Sequence, residues 1–293
     1  IGLDFTQQYI LKLGIIFLGI RLSFEELISF GAIAIPLIFC CILGVLILVK
    51  LLIKKVPISS KMSYLIAIGT SVCGATAIVA TAPVINAKKT EVAYAIANIT
   101  LFGVIAMIVY PYFAEWYFDN DALKTGLFLG TSIHETSQVA AAGLIYDQQF
   151  NSPETLNVAT VTKLIRNTFL VILIPLFAFL YNRGELKGQN YSILSIFPYF
   201  VIGFIGMIVV RNIGDQFFTT DSNNYGLWIN LIGYLKTLAT VFLTMAMAAV
   251  GISINLSELK SMGYKPFVVG LIAAITVGFI SLIYIETLIK FIY

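Results

Sequence analysis

Charged residues are scarce in this sequence. Asp, Glu, Lys and Arg make up 11% of its 293 residues, hydrophobic residues make up 59%, and the mean hydropathy is +0.94. A soluble domain carries about 25% charged residues. Because so few charges cannot cover a water-facing surface of this size, the composition excludes a soluble enzyme, a nucleic-acid-binding protein and a disordered chain. The sequence predicts a membrane protein.

Histidine and cysteine are also rare, which bears on metal and disulfide chemistry. There is one histidine, His134, and there are three cysteines, Cys40, Cys41 and Cys73, all in apolar or small-residue segments. These residues form neither a disulfide framework nor a paired CxxC metal site, and one His beside one Glu is not a coordination set. The net charge of +3 includes no basic run that could follow a phosphate backbone. We therefore expect no metal, no cofactor and no nucleic-acid partner.

Nine apolar segments joined by short polar loops account for most of the chain. A helix needs about 20 apolar residues to cross a bilayer, and barrel-type alternation is absent, so we predict an all-α membrane helical bundle forming a single transporter domain over residues 1–293. The first residue is Ile1 rather than Met, so we expect further chain before it. The predicted segments are Ile10–Ile20, Ala32–Val49, Met62–Ile85, Val92–Tyr112, Leu123–Tyr146, Leu156–Tyr181, Ile193–Val210, Leu227–Ile254 and Phe267–Ile292.

Two of these segments carry a small, hydroxyl-rich stretch at their centre. One reads Gly69-Thr-Ser-Val-Cys-Gly-Ala-Thr76 and the other Gly130-Thr-Ser-Ile-His-Glu-Thr-Ser137. Such stretches weaken a helix, and irregular backbone is tolerated in a bilayer only where protein buries it or it lines a cavity. We predict two broken or re-entrant helices. Close helix packing by small residues is the alternative interpretation.

A second pair of similar segments within the sequence indicates inverted repeats. Residues 19–31 and 251–263 align without gaps; each copy begins Gly-Ile, has Glu-Leu at its eighth and ninth positions, and ends in Ser-x-Gly. Lys50, Lys54, Lys55 and Lys61 cluster in one loop, which the positive-inside rule places in the cytoplasm. The charge pattern does not choose between re-entrant hairpins and broken full spans.

His134 and Glu135 are ionisable residues inside an apolar segment. Such groups are costly at this depth and usually serve a pathway or a proton relay. Gln138 lies one helical turn further on, so these three side chains can border one cavity. The alternative is a buried, hydrogen-bonded pair that only fixes the fold.

Lys163 and Arg166 form a second polar cluster, one helical turn apart and flanked by Thr160, Thr162 and Asn167. Both side chains only donate hydrogen bonds and suit an oxyanion, although anchoring at the membrane interface is the alternative. Asn98 is the deepest residue of a polar stripe on another helix, with Glu91 and Tyr94. We expect it to serve either packing or contact with a broken helix.

These motifs resemble the YeiH family of bacterial inner-membrane proteins, which are described as sulfate exporters. The resemblance rests on Gly69–Pro83, Ile99–Gly103 with Tyr110-Pro111, Ser132–Val139, and Lys163 with Arg166, and it covers essentially the whole chain. Family members usually have further N-terminal helices. The family also looks similar to sodium–proton antiporters and bile-acid symporters, whose broken helices cross at the midplane. That likeness implies Met245–Ile254 as an alternative partner for the first motif.

The resulting expectation is a secondary transporter for a small anion, sulfate or a related sulfur oxyanion, coupled to H⁺ or Na⁺. Helix N-termini and hydroxyl groups would bind the anion. The rivals are a carrier resembling cation–proton antiporters, an intramembrane acid–base enzyme and a channel; a homo-oligomer is left open. The predicted substrate-binding residues are Thr70, Ser71, Cys73, Gly74, Ser132, His134, Glu135, Gln138, Lys163 and Arg166, with Asn98 in a secondary role.

Overall fold

The structure is a computed structural model that describes most of the chain. The described residues are 2–21, 24–82, 85–170, 172–173, 176–177, 199–218, 224–252 and 263–292. Within these ranges the chain is helical and has no strand, as the sequence predicts. The molecule is an all-α membrane helical bundle.

The helices are numbered here in chain order. They are α1 (Gly2–Phe5), α2 (Leu11–Leu18), α3 (Phe24–Leu52), α4 (Ser60–Ser71), α5 (Ala75–Thr81), α6 (Lys89–Phe118), α7 (Ala122–Ser132), α8 (Thr136–Phe150), α9 (Pro153–Thr168), α10 (Tyr199–Phe217), α11 (Tyr225–Ile252) and α12 (Lys265–Ile292). A π-helical turn, Thr6–Ile10, joins α1 to α2, and a 3₁₀ turn, Gly19–Arg21, follows α2.

Three described helices contain stretches long and apolar enough to cross a membrane. They are Ile33–Leu52 in α3, Thr90–Phe118 in α6 and Lys265–Thr287 in α12. The predicted segments that began at Ala32, Val92 and Phe267 coincide with them. Parts of four other predicted segments lie outside the described residues, namely Met62–Ile85, Leu156–Tyr181, Ile193–Val210 and Leu227–Ile254. Most of the second copy of the predicted repeat, residues 253–262, also lies outside them.

The chain divides into two compact units, and the smaller comprises residues 1–32 and 198–253. In this unit α2 packs against α10 and α11. Arg21 Nη2 donates to Thr240 Oγ1 at 3.1 Å. At the far end of α10, Asp215 accepts hydrogen bonds from Trp228 Nε1 at 2.9 Å and Arg211 Nε at 2.6 Å. The Trp228–Asp215 hydrogen bond fastens α10 to α11.

The larger unit comprises residues 33–197 and 254–293 and contains both predicted broken helices. The first break separates α4 from α5 at Val72–Gly74, where Gly74 has φ +65°, and the second separates α7 from α8 at Ile133–Glu135, where the backbone is extended. Positive φ is readily adopted only by glycine. The sequence-based prediction of two breaks is therefore confirmed, and each break is three residues long.

The α4–α5 segment is a re-entrant hairpin, here called the first hairpin. Both of its ends lie beside the N-terminal end of α6. Ser59 Oγ, just before α4, donates to Glu91 Oε1 at 2.5 Å, and Lys61 Nζ of α4 donates to the carbonyl of Asn86, just after α5, at 2.5 Å. The chain therefore enters and returns on the same side.

The α7–α8 segment is a second re-entrant hairpin, which approaches from the opposite end of α6. It begins after a tight turn that follows α6. At its tip Gln138 Nε2 donates to the carbonyl of Thr100 at 3.2 Å, and further along α8 the Tyr146 hydroxyl donates to Glu115 Oε2 at 2.5 Å. Because Thr100 and Glu115 are about 22 Å apart along α6, α8 runs back towards the side from which α7 came.

Candidate functional site

The tips of the two hairpins meet beside the middle of α6. Thr100 Oγ1 donates to Glu135 Oε1 at 3.2 Å, and the backbone N–H of Ala75 donates to the same oxygen at 3.3 Å. Thr100 lies about 16 Å along the helix axis from Lys89, the first residue of α6. Half of a bilayer's hydrocarbon core is about 15 Å, so the tips meet at mid-membrane depth.

Gly74 allows this close approach. A Cβ atom at Gly74 would lie 2.5 Å from Glu135 Cγ, and the residue already has φ +65°. Both the contact and the backbone conformation require glycine. The two motifs identified in the sequence are therefore in contact across the site, and the resemblance-based alternative, Met245–Ile254, stays a prediction.

The Glu135 carboxylate binds the N-terminal end of α5 and directly precedes α8. It accepts the N–H of Ala75 at 3.3 Å and the hydroxyl of Thr100 at 3.2 Å, while Gln138 Oε1 accepts the N–H of Glu135 at 3.3 Å. Helix N-termini carry unpaired N–H groups and a partial positive charge. One buried carboxylate therefore lies at the N-terminal ends of two helices.

Lys163 satisfies the carbonyl groups that the two breaks leave free. Its Nζ donates to the carbonyls of Val72 at 2.8 Å, Ile133 at 2.9 Å and His134 at 2.5 Å. An ammonium group has three donors, and here all three are used by backbone oxygens. The side chain is fully buried.

Arg166, one turn further along α9, also donates hydrogen bonds to carbonyl groups that the two breaks leave free. Nε donates to the carbonyl of Ser71 at 2.7 Å, Nη1 to that of Thr131 and Nη2 to that of Thr70. The carbonyl ends of α4 and α7 are therefore held together by one cation. Like Lys163, Arg166 is fully buried.

These contacts correct the predicted role of the two cations. The sequence suggested that Lys163 and Arg166 bind a substrate oxyanion directly. They do bind oxygen, but the oxygens are carbonyls of the two hairpins, because the breaks leave these groups unpaired in the membrane. The interfacial anchoring considered as an alternative is also excluded, since neither side chain is exposed.

The site carries more positive than negative formal charge. The ion pairs found among the described residues are Lys124–Asp121 and Arg211–Asp215, so neither Lys163 nor Arg166 has a carboxylate partner there. Glu135 is the buried carboxylate at the tips. The other buried one, Glu91, is bound to Ser59 and Lys88 at the start of α6. The tips therefore hold two cations and one carboxylate.

Several buried polar side chains around the tips have no hydrogen-bond partner within the described part of the chain. By contrast, the Thr160 hydroxyl bonds the carbonyl of Leu156 at 2.7 Å, as hydroxyls in helices often do. Buried polar atoms are rarely left unpaired, so the concentration of such atoms at the tips indicates a place for a polar ligand. The unpartnered atoms there are Thr70 Oγ1, Ser71 Oγ, Ser132 Oγ, His134 Nδ1 and Ser137 Oγ.

The remaining predicted residues occupy different positions. Cys73 is buried at the first tip, between Val72 and Gly74. Asn98 does not contact a broken helix through a hydrogen bond: its Nδ2 donates to the carbonyl of Pro266 at 2.9 Å, and it packs against Gly270. Of the two interpretations of Asn98, packing against another helix, here α12, is the one the structure supports.

Sequence reasoning missed two residues of α6 that hold the second tip. Thr100 hydrogen-bonds both Glu135 and Gln138, and a Cβ atom at Gly103 would collide with the Gln138 amide. A single threonine and a single glycine in an apolar helix are weak signals. Both lie within Ile99–Gly103, one of the motifs that carry the family resemblance, and they are about one helical turn apart.

Together the fold and the site define a membrane helical bundle in which two re-entrant hairpins enter from opposite ends and meet at buried charged residues. The chain belongs to the family described as "Conserved hypothetical protein 698", whose family model matches residues 1–270. This is the YeiH family, so the resemblance noted in the sequence is confirmed.

Relatives in several bacteria are similar over nearly the whole chain. The UPF0324 membrane protein FN0533 of Fusobacterium nucleatum is 34% identical over 287 residues, which cover 96% of this chain and 82% of that protein. The UPF0324 membrane protein SAG1125 of Streptococcus agalactiae is 34% identical over 92% of this chain and 77% of its own length. The UPF0324 membrane protein SpyM3_0740 of Streptococcus pyogenes is 32% identical over 286 residues, which cover 96% of this chain and 81% of that protein. No solved structure matches the chain.

Proposed function

We propose that this chain is a secondary transporter that moves a small anion, sulfate or a related sulfur oxyanion, across the bacterial inner membrane. The observation that carries the proposal is the charge at the hairpin tips, where Glu135 is the one carboxylate among the described residues that opposes Lys163 and Arg166. A net positive charge in a low-dielectric region is costly. An anion bound at the tips would compensate it.

The ligands for this anion would be the unpartnered donors rather than the cations themselves. The hydroxyls of Ser71 and Ser132 end α4 and α7, and the His134 side chain lies at the second tip. Hydroxyl and imidazole N–H groups donate well to oxyanion oxygens. Lys163 and Arg166 would supply the attractive field through the backbone groups they bind.

The hairpin arrangement suits alternating access. Each hairpin enters from a different end of α6, so each covers the tips from one side of the membrane. Carriers built on discontinuous helices bind substrate at the midplane and move one element relative to another. Displacing either hairpin would expose the site to one side while the other hairpin keeps it closed.

Proton coupling would involve Glu135 and His134. The Glu135 carboxylate holds the start of α5 and the Thr100 hydroxyl of α6 at the second tip, so protonating it would weaken two charge-assisted hydrogen bonds at once. That change would favour separation of the tips. Na⁺ is the other coupling ion that the sequence left open, and the measurements below include it.

The orientation and location follow from charge placement. Lys54, Lys55, Lys61 and Lys88 lie on the side of the first hairpin, while Asp119, Asp121 and Asp147 lie on the side of the second. We place the first hairpin's side in the cytoplasm, because loops rich in Lys and Arg face inward. The chain would then be a multi-pass inner-membrane protein.

Uptake of radiolabelled sulfate into proteoliposomes tests the proposal. We expect saturable sulfate uptake by the wild type that sulfite competes for, and a large reduction in Ser71→Ala. Ser63→Ala is the matched control, because Ser63 is a buried serine of the same helix whose hydroxyl bonds the carbonyl of Ser59 at 3.0 Å. Cation-dependent proton flux without any anion requirement would instead establish the antiporter-like rival.

A further inference from the structure

Each hairpin is bound to α6 by one carboxylate near the hairpin's outer end. Glu91 in the first turn of α6 accepts the hydroxyl of Ser59, just before α4, at 2.5 Å. Glu115 in the last turn of α6 accepts the hydroxyl of Tyr146, near the end of α8, at 2.5 Å. The two carboxylates are about 36 Å apart along the helix axis. Since the hydrocarbon core is about 30 Å thick, the two contacts lie at opposite surfaces of the membrane.

Both contacts are hydrogen bonds from a hydroxyl to a carboxylate, and their partners are held in position. The Glu91 carboxylate also accepts the N–H of Lys88 at 2.9 Å, and the Ser59 hydroxyl accepts the N–H of Met62 at 3.1 Å. Tyr146 is fully buried, so packing holds its ring and directs its hydroxyl. Hydrogen bonds of this kind are charge-assisted and about twice as strong as those between neutral groups.

The outer contacts differ from the contacts at the tips in their access to water. Lys163 and Arg166 bind carbonyls at mid-membrane depth, where the bilayer supplies no water to replace a lost hydrogen bond. Ser59 is exposed and Glu115 is half-buried, so water can hydrogen-bond these groups when they separate, and the net cost of separation is modest. Apolar packing between helices gains little from lipid tails that are equally apolar. The outer contacts are therefore where each hairpin can be released from α6.

We propose that Glu91 and Glu115 are the two gate residues of this protein. The Ser59–Glu91 contact, the first gate, closes the path to the tips from the side of the first hairpin, and the Tyr146–Glu115 contact, the second gate, closes it from the other side. This inference rests on the proposed function, which needs hairpins that uncover the tips in turn. Neither carboxylate touches the anion. Both are positioning residues that determine which side of the membrane reaches the tips.

Chemical labelling of Cys73 reports which side reaches the tips. Cys73 is buried at the first tip, so a membrane-impermeant methanethiosulfonate reagent modifies it only when a path from the reagent's side opens. The background lacks Cys40 and Cys41. The reagent is added to intact cells and, separately, to inverted vesicles, so that each side is measured in turn. The wild-type residues at both gates give the reference rate on each side.

Ser59→Asp opens the first gate. The aspartate still caps α4 by accepting the N–H of Met62, but its carboxylate repels that of Glu91. We expect labelling of Cys73 from the side of the first hairpin to become about tenfold faster, the equivalent of one lost charge-assisted hydrogen bond. Labelling from the other side should not change. Ser59→Thr is the matched control, because threonine keeps both the hydroxyl and the cap, and its labelling rates should equal those of the wild type.

Tyr146→Phe opens the second gate, because it deletes only the hydroxyl. We expect labelling of Cys73 to become about tenfold faster from the side of the second hairpin and to stay unchanged from the other side. Tyr94→Phe is the matched control. Tyr94 is also a buried tyrosine, but its hydroxyl donates to the carbonyl of Gly263 at 2.8 Å, just before α12, and not to a hairpin. Its loss should lower stability without faster labelling from either side.

The outcomes separate the gates from the proposed function. If the wild type takes up no anion, the proposed function fails, whereas the labelling rates still show whether the hairpins open. Faster labelling from one side in Ser59→Asp and from the opposite side in Tyr146→Phe supports the gates. Labelling that is unchanged in both variants, equally faster from both sides, or as fast in Tyr94→Phe as in Tyr146→Phe overturns them.

Discussion

Glu135 of the second hairpin accepts the backbone N–H of Ala75 of the first hairpin at 3.3 Å. This contact joins two helix N-termini that start 60 residues apart and enter from opposite ends of α6. Lys163 makes the complementary link by donating to carbonyls of both tips. The site is thus assembled from helix ends, with one carboxylate for the N-terminal ends and two cations for the C-terminal ends.

Glu135→Ala should destabilise the protein by about 1–3 kcal/mol, because the Ala75 N–H and the Thr100 hydroxyl lose their buried acceptor. Glu135→Gln should lose less stability, since the amide oxygen of glutamine still accepts a hydrogen bond. Thermal unfolding in detergent measures the difference. Glu154→Gln is the control on an exposed residue in the first turn of α9. Equal melting temperatures for Glu135→Ala and Glu154→Gln would contradict the capping role.

Lys163→Met should destabilise the larger unit by about 3–5 kcal/mol, since removing one member of a buried charged network leaves its partners unpaired. Here three carbonyls would lose their donor. Lys124→Met removes only a partly exposed pair with Asp121 and should cost under about 1 kcal/mol. The two variants are compared by their yield of folded protein and by their melting temperature. A Lys163→Met variant as stable as Lys124→Met would show that the carbonyls find other donors.

Gly74→Ala should be more destabilising than Gly263→Ala. Both glycines have positive φ, at +65° and +77°, which strains any residue with a Cβ atom, and Gly74 also has ψ −125°. Only Gly74 packs against Glu135, whereas a Cβ atom at Gly263 would meet nothing within 4 Å. The difference between their melting temperatures measures the added cost of a side chain at the hairpin tip. Equal decreases in melting temperature would mean that the tips are not in tight contact.

The hairpin topology predicts which loops share a side of the membrane. Cysteines at Asn120 and Asn151, which flank the second hairpin, should react with an impermeant maleimide from one side, and cysteines at Lys61 and Lys88 from the other. The background should lack Cys40, Cys41 and Cys73. Labelling intact cells and inverted vesicles makes the comparison. If Asn120→Cys and Asn151→Cys label from opposite sides, the α7–α8 segment crosses the membrane fully.

The two breaks could be predicted from the sequence because their cause is local. Gly, Thr and Ser cluster in both motifs, and the breaks fall within them at 72–74 and 133–135. Hairpins could not be distinguished from full spans, because the lysine pattern fits either. That distinction depends on contacts such as Tyr146 with Glu115, between residues 31 positions apart on different helices.

The role of the cations could not be read from the sequence for a similar reason. Lys163 and Arg166 indicated oxygen ligands, which is correct, but carbonyls become available only where a distant helix breaks. The carbonyl partners of Lys163 lie 91, 30 and 29 residues earlier in the chain. The inverted repeat stays a prediction, since most of its second copy lies outside the described residues.

The central claim, that the positive charge at the hairpin tips forms an anion site, is tested most directly by ligand-dependent thermal unfolding of the purified protein. Sulfate, sulfite, taurine and chloride would each be titrated at two pH values, with Na⁺ and K⁺ salts exchanged at constant ionic strength. The account predicts that sulfate or sulfite raises the melting temperature with the logarithm of concentration, reaching about 2.7 kcal/mol of stabilisation at 100 times the Kd. Stabilisation by Na⁺ or K⁺ with no dependence on the anion would contradict it.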